Sequence, residues 1–438
     1  MISAFSILFA ASLLSLLLHR TKFLQPFALT ALIAGLVLSG TSVGLNGFET
    51  SAAMTLFTVV MLIVLIAFVL HEKNDTTITQ ALFLATASVA LLQSRTMLAF
   101  IVSFEAVSLI SIVLVSDIRT KAQAEGAVKM FIAGAIATGM LLLGAAFYLM
   151  GGGVLDAPVT SNGNLFSLAG IYVMLFAVFY KLTIVPMHGW AADTYALVRH
   201  SHAALLTGVA KTIVALAAFR LFAPSLAQTV EMSVPLLAIL AVVTMTLGNF
   251  MALYQKKLAR MLAYSSIAHA GYMLLAYVAV KSGYASTGLL YMAIAYIFMQ
   301  TAVFLVLDTL RNKYGMQTLE DVKGLAKGNG VLAFFFTVQL FSLAGIPLLA
   351  GFLGKAVVFY AVVDAGLWYV ALIALLNSAL SVGYYAWIVK HLYFDEAEAS
   401  VIFKAEEKFT VMSQLILFGG TLYFGIFAFV VFAVGKSF

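Results

Sequence analysis

Residues 165–198 read LFSLAGIYVMLFAVFYKLTIVPMHGWAADTYALV, with Lys181 and Pro186 near the middle of the run. The stretch is apolar almost throughout, and it is longer than the ~20 residues that carry one helix across a bilayer. A proline inside a helix removes a backbone hydrogen bond and breaks or kinks it. A second run of this kind, 331–363, carries Gly345-Ile-Pro347 near its middle. Two over-long, proline-interrupted runs at corresponding places are the signature of an inverted repeat whose broken helices meet at a midplane site. The fold class predicted from them is an all-α polytopic membrane protein with spans 7 and 12 broken.

Working outward, apolar runs occur at 2–18, 27–46, 51–70, 78–93, 96–115, 127–150, 165–198, 203–222, 232–252, 259–280, 285–309, 331–363, 367–389 and 409–434, fourteen segments in all. Each should be helical, because a lipid-exposed backbone must satisfy its own hydrogen bonds, and the alternation of a membrane barrel strand is missing. The first run lacks a positive flank ahead of it, and His19, Arg20 and Lys22 follow it. It therefore reads as a retained span rather than a secretory signal. Hydrophobic residues make up 63% of the 438 and charged residues 10%, against about 45–50% and about 25% in soluble domains; mean hydropathy is +1.07. These values exclude a soluble enzyme, a disordered chain and a nucleic-acid binder. The formal charge of +6 is a matter of topology, and the absence of cysteine removes disulfides, thiolate-held iron–sulfur clusters and Cys-ligated zinc.

Lys and Arg in the loops set the orientation. With the N-terminus outside, the inner loops and helix ends hold Arg20, Lys22, Lys73, Arg119, Lys121, Arg199, Lys256, Lys257, Arg260, Arg311, Lys313, Lys323, Lys327, Lys390, Lys404 and Lys408. The outer side holds Arg95, Arg220, Lys281 and Lys436. Sixteen against four is a strong positive-inside bias, and it places both termini outside. The broken spans are five apart, an odd offset, so the two copies have opposite orientation. The repeats fall on spans 4–8 and 9–13. The chain then divides into 1–77, three N-terminal spans; 78–222, the first repeat; 232–389, the second; and 390–438, a charged inner loop and a last span.

An ionisable group at mid-bilayer costs a few kcal/mol on insertion scales and marks a functional site by default. Glu105 lies at the centre of span 5, Lys181 just before the break in span 7, Lys211 in the centre of span 8, and Lys355 beyond the break in span 12, in its outer half. Glu105 and Lys181 read as a mid-membrane pair, either a proton-loading device or a structural tie fixing helix register. Lys211 and Lys355 have no carboxylate at their depth, which favours a hydrated path over a dry, unpaired ammonium. Lys129, near the inner end of span 6, either snorkels to the surface or joins the path. His188 follows the break in span 7. Tyr264, Ser265, Ser266 and His269 climb span 10, and Gln300 lies in span 11. For His269 a packing role and a relay role stand level. His200 and His202, before span 8, read as solvated loop residues. No Walker A loop, dinucleotide fingerprint or HExxH is present, and nothing in the chain suggests a bound flavin, haem or metal.

Three motifs resemble a known family. Leu262-Ala-Tyr-Ser-Ser-Ile-Ala-His-Ala-Gly-Tyr272, Ser342-Leu-Ala-Gly-Ile-Pro-Leu-Leu-Ala-Gly-Phe-Leu-Gly-Lys355, and Lys181-Leu-Thr-Ile-Val-Pro-Met-His-Gly-Trp190 with Asp193 and Tyr195 are similar to the span-10, span-12 and span-7 signatures of the antiporter-like N subunit of respiratory complex I. The resemblance covers spans 4–13. It implies a proton-pumping module of a NADH:quinone oxidoreductase in a bacterial plasma membrane, with Glu105, Lys181, Lys211 and Lys355 on the proton path and Lys129, His269 and His188 as relay candidates. It also implies further antiporter-like membrane-arm subunits as partners, and NADH, FMN, iron–sulfur clusters and quinone in those partners rather than here. Subunits of cation/proton (Na+/H+) antiporters and of proton-pumping membrane hydrogenases share the pattern. Where the family has a small-residue, proline-containing stretch, this chain has Ala196-Leu-Val-Arg199-His200-Ser-His202-Ala.

Overall fold

A computed structural model describes residues 3–42, 46–116, 120–396 and 407–437. Arg119 and Lys404 lie outside the described residues. The described chain is helical with no strand, and its helices are α1 (Ala4–Leu17), α2 (Leu24–Val37), α3 (Ala52–His71), α4 (Asp75–Gln93), α5 (Met97–Val115), α6 (Lys121–Met150), α7 (Leu165–Leu182), α8 (Ala191–Leu197), α9 (His200–Ala204), α10 (Lys211–Gln228), α11 (Val230–Leu253), α12 (Leu258–Val278), α13 (Ala285–Tyr314), α14 (Leu325–Gly328), α15 (Gly330–Ala344), α16 (Ala350–Asp364), α17 (Trp368–Tyr393), α18 (Lys408–Ile426) and α19 (Phe429–Val434). Eleven helices are long and apolar enough to cross a bilayer, and α1, α2 and α15 are shorter apolar helices. The α7–α8 and α15–α16 pairs are the two broken spans.

Local chemistry sets the helix ends. The side chains of Thr96, Thr120, Asn164 and Asn329 each accept a backbone N–H from the first turn of the helix they precede, satisfying donors that have no intrahelical partner. At the breaks, Thr183 ends α7 and Gly345 ends α15, both left-handed, with φ of 63° and 93°.

Loop-to-loop contacts sort the connections onto two faces. On one, Lys73 pairs with Glu407 at 2.5 Å, Arg199 with Glu72 at 3.2 Å, the Leu258 N–H donates to Gln317 O and the Leu319 N–H to Lys256 O. On the other, Arg95 pairs with Glu49 at 3.0 Å, Arg220 donates to the Glu49 and Leu92 carbonyls, Ser282 reaches Asp364, and the Ala53 N–H donates to Ser437. Successive connections alternate between the faces, as fourteen crossings require.

The centre is made of α10, α12 and α13. Every residue of α12 but Arg260 is buried, and α13 is buried from Thr287 to Leu310. Close approach is bought with glycine: at Gly248 a Cβ would meet the Ala268 backbone, and at Gly271 that of Met245, the small-residue packing of helices that cannot rely on water to drive them together. Outlying helices expose large apolar side chains instead, such as Phe131, Ile136 and Leu142 on α6, the composition of a lipid-facing or subunit-facing surface.

Candidate functional site

Lys211 sits in the buried centre. The α9 helix runs through a π turn, Leu205–Ala210, directly into Lys211; such turns shift side-chain register and recur at functional sites. Lys211 is 1% exposed. Its ammonium donates to Thr183 Oγ1 at 2.8 Å, Ser266 Oγ at 2.8 Å and Ser266 O at 2.9 Å, so all three of its donors are used. Its partners are protein oxygens, at a position where the sequence favours a hydrated path. Thr183 supplies one of them because the break turns its hydroxyl away from its own helix. Left-handed backbone is uncommon for a β-branched residue.

Lys355 has an analogous seat. Its Nζ donates to Leu343 O at 2.8 Å, Ser378 Oγ at 2.9 Å and Ala344 O at 3.0 Å. The last carbonyls of α15 have no intrahelical partner and form the negative end of that helix, so they hold a cation. Lys355 lies beyond the break, on α16, but its ammonium reaches back to the end of α15. Helical side chains point back toward their own N-terminus, and Lys355 on α16 thereby returns its ammonium to the break.

Between the two lysines the contacts are continuous. Tyr296 donates to Ser266 Oγ at 2.9 Å. The His269 ring lies 5.2 Å from that of Tyr296 and 5.6 Å from that of Tyr272, and Lys355 Nζ stands 5.0 Å above Tyr272, within cation–π range. His269 Nδ1 meets Ser265 O at 3.0 Å, Nε2 is buried without a partner, and both Lys211 and Lys355 act on the ring electrostatically.

A supporting layer was missed by sequence reading. Asn249 on α11 donates to Tyr272 Oη at 3.1 Å and to Asn377 O at 3.0 Å, and accepts from Tyr384 at 3.1 Å; Ser265 and Tyr385 meet at 2.5 Å. The available signal was Asn249 and Asn377 standing alone in apolar spans, where an amide needs partners.

The first half is arranged differently. Glu105 accepts from Thr138 Oγ1 with both carboxylate oxygens at 3.0 Å. Glu105 and Lys181 interact electrostatically without a direct ion pair within 4.0 Å. Lys181 is 8% exposed and borders a cavity of about 10 Å³ beside Ser108, Tyr180 and Trp190, room for about one water molecule. Lys129 lies toward the loop face that carries Arg199 and Lys257, half-exposed, bridging Glu125 at 2.6 Å and Asp193 at 2.7 Å, while Asp193 also pairs with Arg260 at 3.0 Å. His188 stands half-buried in the turn after the break, its Nδ1 without a partner. Gln300 is fully buried with both amide atoms unpartnered.

His200 and His202 correct the sequence reading. They are 4% and 1% exposed, inside α9 rather than in a solvated loop. Both rings are carried into the buried interior at the start of the helix that leads to Lys211.

With this geometry in view, a family profile described as NADH:quinone oxidoreductase/Mrp antiporter, transmembrane, matches residues 94–381. The chain belongs to this family of antiporter-like membrane proteins. It is 33% identical over 358 residues to F(420)H(2) dehydrogenase subunit N of Methanosarcina mazei, covering 77% of this chain and 72% of that one. It is 37% identical over 283 residues to NADH-quinone oxidoreductase subunit N of Trichlorobacter lovleyi, covering 63% and 58%. A chain of respiratory complex I from Thermus thermophilus superposes with a TM-score of 0.86 at 25% identity, covering 99% of this chain and 100% of that one. A chain of the Mrp complex from Dietzia sp. DQ12-45-1b shares the fold at the same TM-score and 19% identity.

Proposed function

We propose that this chain is a proton-translocating membrane-arm subunit of a respiratory NADH:quinone oxidoreductase. It works in a bacterial plasma membrane beside other antiporter-like subunits, with both termini outside and the repeats at 78–222 and 232–389. The observation that carries the reading is the row Lys211–Ser266–Tyr296–His269–Tyr272–Lys355 through the buried core. A lysine desolvated in such a core holds its proton weakly, and a nearby charge decides whether it is kept. Glu105 and Lys181 supply that movable charge: when Glu105 draws away, Lys181 repels the proton on Lys211 along the row toward Lys355. Electron transfer, with its NADH, FMN, iron–sulfur clusters and quinone, belongs to partner subunits, and no redox step is assigned to this chain. The identity to F(420)H(2) dehydrogenase subunit N supports a second reading in which the same module serves a complex with that donor.

The test is purification of the complex from its native membrane, identification of the copurifying subunits, and donor-driven proton uptake in reconstituted vesicles. Lys211→Met should leave the subunit in the complex and lower translocation at least about tenfold, a barrier rise of about 1.4 kcal/mol. Undiminished translocation with Lys211→Met would reject the function, and copurification with an F420H2-oxidising or an antiporter assembly would decide between the readings.

A further inference from the structure

Below Lys211, on the inner-loop face, lies a buried cluster of ionisable groups that the row above does not use. Asp308 on α13 accepts from the Ser201 N–H at 3.2 Å and from Asn312 at 2.9 Å, and faces His71 Nε2 at 3.6 Å. His202 meets Thr77 at 3.0 Å, and Arg199 reaches Glu72 and Thr77. Two cavities flank the cluster. One, of about 320 Å³, is lined by His71, Glu72, Arg199, Asp308 and Glu407. The other, of about 390 Å³, is lined by Asp193, His200, Lys257, Arg260, Arg311 and Gln317. His200 therefore borders the second cavity, while Asp308, with which it interacts electrostatically, borders the first. His200 Nδ1 is buried without a partner.

A polar trail leads from this cluster to Lys211. On α13, Tyr296, Gln300, Phe304 and Asp308 recur every four residues and share one face of the helix. The His200 ring lies 6.5 Å from that of Phe304. One turn further on, Thr301 Oγ1 and both amide atoms of Gln300 are buried and unpartnered. Gly208 in the π turn lies against Thr301, where any Cβ would collide with its hydroxyl. Buried polar atoms left without protein partners are where proteins hold ordered water. Tyr296, one turn beyond Gln300, is already bonded to Ser266, which bonds Lys211.

We propose that His200 is the proton inlet of the first half: it takes protons from the 390 Å³ cavity and passes them, through water held by Thr301 and Gln300, to Tyr296, Ser266 and Lys211. This rests on the translocation function proposed above. The step is a proton relay: the unprotonated ring nitrogen binds a proton from the cavity, the other N–H gives one to water, and no electrons move. Asp308 is a positioning residue. It holds the start of α9 through Ser201 N–H and steadies the imidazolium while the ring is charged. The charged groups that act on His200 are Asp308 and Arg311 from α13; Asp193, Lys257, Arg260 and Arg311 share its cavity, while His71, Glu72 and Arg199 line the other cavity with Asp308, and Arg199 and His202 flank His200 on its own segment.

The test uses the whole complex in vesicles, following donor-driven proton translocation with His200→Ala, His200→Gln and Lys211→Met in parallel. His200→Ala should lower translocation at least about tenfold, in the range of a lost acid–base group, and imidazole supplied on the cavity side should restore it several-fold. His200→Gln, which keeps volume and hydrogen bonding without a relay, should be equally slow. Normal translocation with His200→Ala, or full rescue by His200→Gln, would overturn the inlet and leave His200 a packing residue. If His200→Ala does not assemble, His200→Gln decides alone. Normal translocation with Lys211→Met would instead reject the parent function, so the two failures are distinguishable.

Discussion

The two breaks carry the same element, a helix stopped by a left-handed residue near a lysine, yet they use it differently. At the second break Lys355 is locked: the Leu343 and Ala344 carbonyls and the Ser378 hydroxyl take all three of its donors. At the first break Lys181 borders a one-water cavity, and its nearest counter-charge, Glu105, is occupied by Thr138. The hydroxyl of Thr183 at that break serves Lys211 on a different helix. A lysine with no fixed partner answers to a distant charge. One clamped by carbonyls keeps its place until a proton arrives or leaves. At the breaks themselves, Lys181 is thus open to its surroundings, whereas Lys355 is held in place.

The largest effect should come from the clamped lysine. Lys355→Met removes the proton carrier and strands two buried carbonyls, so translocation should fall to about 1% or less, a barrier rise of about 2.7 kcal/mol. Lys355→Arg separates the two losses. Arginine can still donate to the α15 carbonyls, but it does not release its proton, so the complex should assemble and still fail to pump. Proton uptake in vesicles beside thermal stability of the purified complex reads both. Pumping by Lys355→Arg would mean that the site anchors the helix and carries no proton.

Glu105→Gln should act more mildly. Glutamine can accept from Thr138 as the carboxylate does, so assembly should persist, while Lys181 loses its counter-charge. Turnover should fall about three- to tenfold, a coupling of about 0.7–1.4 kcal/mol at the factor of ten per 1.4 kcal/mol. With no contact within 4.0 Å, a structural tie between the two is already weak, and wild-type pumping by Glu105→Gln would remove the charge-setting role as well.

What the sequence made legible follows from how few options a bilayer allows. Fourteen crossings could be read because helices are forced, the breaks because Pro186 and Pro347 cannot continue a helix, and the lysines because charge in an apolar run stands out. What stayed hidden was three-dimensional pairing. Ser266 stood out as a polar residue of span 10 and Thr183 did not, but only the fold brings both to Lys211. Thr138 was hidden behind the assumption that Glu105 must seek a cation. His200 and His202 were misplaced because polar letters between apolar runs look like a loop. The return of Lys355 to the break is invisible in spacing, since it depends on side-chain direction.

The smallest expected effect tests why the first break uses threonine where the second uses glycine. Thr183 has φ of 63°, a conformation that costs an L-residue about 1–3 kcal/mol. Its hydroxyl returns a hydrogen bond to a charged donor, a class of bond worth about 1.5–3 kcal/mol. The two terms nearly cancel, so Thr183→Gly should change the melting temperature of the complex little, yet it leaves Lys211 with two partners rather than three. Thr183→Ser keeps the hydroxyl and should match wild type in pumping, while Thr183→Gly should pump about two- to threefold more slowly, a change of about 0.4–0.7 kcal/mol. The reciprocal change has no such balance. At Gly345 a Cβ would stand 3.3 Å from Lys355 Cδ and 3.5 Å from its Nζ at φ +93°, so Gly345→Thr should disturb the clamp and cost both stability and pumping. Were Thr183→Gly to pump as wild type, the threonine would be a helix stop and nothing more, and the two breaks would differ only in Lys181 and Lys355.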